Sequence, residues 1–282
     1  MDERVAAKTG PQSWAFALFL AFGGAQLIAG LVFFFAYNWR DLSDPVKIAL
    51  PQAAMALGFL GWAILGRELR LGAVFAVLAT VMIGVSMGVV GQVYQLGADP
   101  WRLFAVWAAF ALPLAIIARS DALFAVWFAI ATVAYSLYAD EHFPYGARGY
   151  YASAILAVYV AAAAIVLFAR ELVAGGAPRW LRWLIVFAAL APAVAGGIGD
   201  LTDGRHIFGR GFWASLAVLG ASAAFYGFYR FHRVDRPTQA MAMFAPAIWV
   251  GALGVRMIFA NTDLDSAAAA SALFLISALW IV

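Results

Sequence analysis

The chain has 282 residues, of which 66% are hydrophobic and 12% charged, and its mean hydropathy is +0.89; this excludes a soluble domain, where about a quarter of residues are charged. Its net charge of +3 and pI near 9.3 do not signal nucleic-acid binding, because the basic residues stand singly or in small groups between apolar runs and form no basic stripe. Cysteine is absent, which excludes disulfides, zinc-thiolate sites and thiol nucleophiles. Many runs reach the roughly 20 apolar residues that carry a helix across about 30 Å of hydrocarbon, and the alternation of an outer-membrane barrel is missing. The expected fold class is all-α, a polytopic bundle of transmembrane helices. Abundant alanine, with sixteen arginines against two lysines, suggests a GC-rich bacterial genome.

Residues 1–13 form a polar segment with Arg4 and Lys8. The apolar run that follows, Trp14 to Tyr37, is too long for a signal-peptide core and lacks a small-residue cleavage site, so it stays as the first membrane helix. Further spans are predicted at about Val46 to Gly66, Leu71 to Tyr94, Trp101 to Ala118, Ala122 to Tyr138, Tyr150 to Ala169, Trp180 to Gly199, Gly211 to Tyr229, Ala240 to Ala260 and Ser266 to Val282. That makes about ten helices, divided into a first membrane unit over 14–138 and a second over 139–282. The last run reaches Trp280-Ile281-Val282 with no polar flank.

Lys and Arg mark cytoplasmic loops. The N-terminus and the even-numbered loops hold eleven of them, the odd-numbered loops seven, and the acids lean the other way. Both termini are therefore expected inside, in a bacterial inner membrane. An internal echo relates Gly66-Arg67-Glu68-Leu69-Arg70-Leu71-Gly72 to Ala169-Arg170-Glu171-Leu172-Val173-Ala174-Gly175, 103 residues later. A duplicated four-helix unit in parallel orientation would produce it. So would chance, since Arg-Glu commonly ends a membrane helix.

The densest polar stretch is Gly91-Gln92-Val93-Tyr94-Gln95-Leu96-Gly97-Ala98-Asp99-Pro100-Trp101. Gly84, Gly88, Gly91 and Gln95 share one helix face, and Gly23, Gln26, Gly30, Phe34 and Tyr37 form a counterpart on the first helix. Two such faces suit close packing with amides bonding across the contact; the alternative is a polar cavity lined by Gln26 and Gln92. Asp44-Pro45 and Asp99-Pro100 read as helix starts, with Asp as cap and Pro in the first turn. Glu141, His142, Asp200, Asp203 and His206 have no recognised metal-ligand spacing, so no metal or cofactor is expected. Arg256, near the outer interface, either snorkels or pairs with an acid or anionic group.

These residues carry a family resemblance. Phe34-Phe35-Ala36-Tyr37-Asn38-Trp39 with Leu42, Gly91-Gln92-Val93-Tyr94-Gln95-Leu96 with Asp99, Trp107 and Pro113, and Arg119-Ser120 resemble a bacterial family of predicted inner-membrane proteins, domain of unknown function 2157, over about residues 18–137. The resemblance implies an integral membrane protein and no particular activity. The expected site is an extracytoplasmic pocket at Gln26, Asn38, Trp39, Gln92, Tyr94, Gln95, Asp99 and Arg256 that binds or transports a small or lipid-linked envelope molecule. The alternatives are a membrane enzyme acting on an envelope lipid or glycan and a non-catalytic accessory subunit. The bilayer is the expected partner, with a lipid or small-molecule ligand and no nucleic acid.

Overall fold

A computed structural model describes residues 11–37, 39–66, 70–97, 99–142, 148–173, 176–203 and 212–259. Among them are nine helices: α1 Pro11–Tyr37, α2 Asp44–Leu65, α3 Arg70–Val93, α4 Pro100–Ala118, α5 Asp121–His142, α6 Arg148–Val173, α7 Arg179–Asp203, α8 Phe212–Phe231 and α9 Arg236–Phe259. Their bounds follow the first nine predicted spans, and the tenth, Ser266 to Val282, lies outside the described residues. Seven of them, α2 to α7 and α9, are long and apolar enough to cross a membrane, and α1 contributes a shorter apolar stretch, Leu18–Phe34.

Local chemistry sets the helix ends. The backbone N–H of Gly66 bonds the Trp62 carbonyl, and the glycine's φ of +66° turns the chain out of α2. Arg119 takes the left-handed conformation after α4, and the Ser120 hydroxyl accepts the Leu123 N–H at 3.4 Å to start α5. The two Asp-Pro pairs act differently from a simple cap. Ser43 is the N-cap of α2, Asp44 lies inside the first turn, and its carboxylate pairs with Lys47 at 3.0 Å. Asp99 does occupy the N-cap of α4, but its carboxylate turns to Arg102 at 2.9 Å and makes no side-chain cap bond. In each case a cation three residues on competes with the backbone donors for the same oxygens.

The chain divides into two compact units, residues 1–138 and 139–282. In the first, α2 and α3 form a tight antiparallel pair, with α4 and α1 each packed on α3. A Cβ on Gly58 would lie 2.7 Å from the Ala79 backbone nitrogen, so glycine is what lets α2 approach α3. The α3 stripe receives α4: a Cβ on Gly84 would meet the Trp107 ring at 2.4 Å, and Trp107 Nε1 donates to the Thr80 carbonyl at 2.7 Å. The small-residue face of α1 does not pair with this stripe as expected. Nothing lies within 4 Å of a Cβ on Gly23 or Gly30, and contact is made instead through Gly24 against Val74. The bulky indole of Trp107 fills the notch that a second glycine face would have used.

The second unit is a bundle in which α7 and α8 each pack against the other three of α6 to α9. Its core combines small residues such as Ala189, Ala193 and Ala214 with the fully buried rings of Phe225 and Tyr229. Across both units large apolar side chains such as Phe19, Leu27, Phe33 and Ile64 point outward while alanines are buried. So many large apolar side chains facing outward match helices that pack through small residues in a hydrocarbon solvent.

Candidate functional site

In unit 1, Gly24 of α1 meets Val74 of α3, and Leu31 and Val32 pack with Leu78, Val81 and Val85 around Ala54 and Met82. Residue numbers rise together along the contact, so α1 and α3 run parallel and finish, at Tyr37 and Val93, at the same end of the unit. The sequence pattern placed a polar site at that end.

The end of α3 is a Schellman turn. Leu96 N–H bonds the Gly91 carbonyl at 3.0 Å, Gln95 N–H bonds the Gln92 carbonyl at 3.3 Å, and Gln95 adopts φ +50°. The Gly-Gln-x-Tyr-Gln motif thus supplies both carbonyls and the left-handed residue of the helix stop. It leaves the side chains of Gln92, Tyr94 and Gln95 exposed, with Asp99 half-buried beside Arg102. Arg102 also lies over the Trp101 ring at 5.4 Å, and Trp101 meets Tyr138 of α5 edge-on at 5.1 Å. After α1, the half-buried Trp39 ring has Lys47 Nζ 5.3 Å from its centroid. Gln92, Tyr94, Gln95 and Asp99 therefore gather on one turn, with Trp39 at the same end of the unit. Asn38 lies outside the described residues.

Gln26 stands apart. It is exposed in mid-helix, between Ala25 and Ile28, and those two residues line a cavity of 330 Å³ formed by α1, α3 and α5. Leu20 and Gly24 of α1, Val74 and Val77 of α3, and Val126 of α5 complete much of its wall, which is almost entirely hydrocarbon. Arg256 belongs to the second unit, half-buried in the last turn of α9. Glu141 and His142 are exposed at the end of α5, the side chains of Asp200 and Asp203 are not described, and His206 is outside the described residues. Among the described residues no group of three His, Cys, Asp or Glu could hold a metal ion.

Sequence reasoning took the arginines of the second unit for topology marks and missed what they build. Glu171, at the end of α6, is fully buried; its Oε1 accepts Arg182 Nε at 2.8 Å and the Tyr229 hydroxyl at 3.2 Å. Arg233 Nε lies 3.4 Å from Oε2 of the same carboxylate. Arg182 also reaches Asp235 at 3.3 Å and donates to the Ala177 carbonyl at 3.1 Å. Burial pushes the Asp235 carboxyl up, but the Thr238 hydroxyl and the Arg182 guanidinium outweigh it and hold the group below its ordinary value. Gly176, at φ +116°, leaves the space that Arg233 crosses: a Cβ there would sit 2.4 Å from Nη1. The network ties the α6–α7 loop to the α8–α9 loop. One signal lay in the sequence, since Glu171 falls inside the Arg-Glu echo; its counterpart Glu68 is outside the described residues.

Residues 2–124 match the family described as predicted membrane protein (DUF2157). The match begins before α1 and stops just inside α5, so it takes in the Asn38-Trp39 sequence, the Schellman turn and Trp107, and excludes the buried ion network. No curated protein matches the chain, and no solved structure matches it. The family's own description adds membrane residence and no activity.

Proposed function

We propose that this is a multi-pass protein of the bacterial cytoplasmic membrane, with both termini inside, whose first unit binds or moves a lipid-linked molecule of the cell envelope. The observation that carries the reading is the apolar cavity between α1, α3 and α5. Its 330 Å³ falls within the roughly 300–1,000 Å³ of ligand pockets, and its hydrocarbon walls suit a tail and not a polar metabolite. The polar turn at Gln92 and Gln95 then suits a head group at the outer surface.

Distance favours a lipid-linked ligand over a small one. Val74 in the cavity wall and Gln92 at the turn are 18 residues apart on one helix, about 27 Å at about 1.5 Å per residue. They also lie at the same angle around the axis, since eighteen residues complete about five turns. A small molecule cannot touch both ends, whereas a head group with a long acyl or isoprenoid tail spans that distance. The test is a photo-crosslinking amino acid at Val126, followed by extraction and analysis of adducts. The expected adduct is a lipid bearing an envelope head group, reduced several-fold by Gln92→Leu. Adducts that mirror bulk phospholipid and ignore Gln92→Leu would overturn the reading.

A further inference from the structure

We propose that the arginine-bearing end of the second unit binds the phosphate head group of an anionic phospholipid. Glu171 and Asp235 face the guanidinium groups of Arg179, Arg182 and Arg233, so the described network holds one more cation than anion. Arg182 is committed inward, to both carboxylates and to the Ala177 carbonyl. The excess charge therefore rests on the outer pair. Arg179 and Arg233 have side chains 77% and 42% exposed, and they touch the acids through Nε at 3.9 and 3.4 Å. The two buried carboxylates hold these arginines at the surface without neutralising them. Arg236, next in the chain to Asp235, is exposed at the same end.

Two backbone features add to the attraction. Helices α7 and α9 both begin here, at Arg179 and Arg236, so the positive ends of two dipoles lie at this face. Helix α7 adds the N–H groups of its first turn, whereas α9 is preceded by Asp235 and has Pro237 in its first turn. The surroundings choose the source of the phosphate. Trp180, Trp183, Phe231 and Val234 are exposed around the arginines, the mixture of amphipathic rings and apolar side chains found where a bilayer meets water. A phosphate anchored by its own acyl chains fits such a rim, and a free phosphate ion gains nothing from it. This is also the side that the arginine count assigns to the cytoplasm, where polybasic surfaces meet anionic lipid.

The experiment uses the full chain in nanodiscs of phosphatidylcholine, with and without one-quarter phosphatidylglycerol, and reads the thermal midpoint. Phosphatidylglycerol is expected to raise the wild-type midpoint by several degrees. The shift should fall by half or more in the Arg179→Gln/Arg236→Gln variant, and millimolar inorganic phosphate in phosphatidylcholine should not reproduce it. Equal midpoints in the two lipids, a variant that responds as fully as wild type, or a full shift from phosphate alone would each overturn the proposal. Neither substitution removes a bridge to Glu171. If the double variant is nonetheless less stable in phosphatidylcholine, Arg236→Gln alone decides on the same readout, because Arg236 forms none of the bridges described above.

Discussion

Glu171 is where a single residue has the largest predicted effect. Its carboxylate answers two arginines and a tyrosine from inside the bundle, so Glu171→Gln leaves Arg182 and Arg233 facing a neutral amide. Breaking a buried pair in this way costs about 3–5 kcal/mol, to be read as a loss of thermal stability in detergent. Asp235 gives the network a pH dependence. Its folded pKa lies below the ordinary 3.8, so its contribution is fully present above that value and is lost as pH falls through the lower folded one. Acid titration of unfolding should show this loss below about pH 4, and Asp235→Asn should flatten that part of the profile. In the first unit, Gln95 holds a left-handed conformation that costs a non-glycine residue about 1–2 kcal/mol. Gln95→Gly is therefore expected to raise the midpoint while weakening the ligand, an opposition that a purely structural turn would not produce.

Among the elements, the nine described helices were readable from their apolar lengths, because a membrane helix announces itself by span alone. What each glycine does was not readable. Gly84 and Gly30 occupy similar stripes in the sequence, yet one receives the Trp107 indole and the other meets nothing within 4 Å. Helical period fixes which residues share a face but not which helix covers that face. Gly84→Leu should therefore lower stability by about 1–3 kcal/mol through overpacking, while Gly30→Ala, whose methyl meets open space inside a helix, does not lower the thermal midpoint. The apolar cavity was hidden for the same reason, since its walls come from three helices separated in sequence. The ion network was hidden because Glu171 and Asp235 read as ordinary loop acids until the bundle buries them.

For the whole molecule, composition alone set the solvent: outward Phe and Leu with inward Ala make sense only in lipid. The proposed orientation rests on the arginine count, and it predicts that a reporter active only in the cytoplasm stays silent when fused after Asp203. The polar turn and the cavity are joined by one claim, that a lipid-linked molecule occupies the first unit. Native mass spectrometry of the full chain, released gently from detergent, tests that claim most directly. A co-purifying species with the mass of a lipid-linked envelope molecule is expected, lost when Ala25→Phe fills the cavity. A wild-type spectrum showing bare protein, or the same adducts in both proteins, would contradict it.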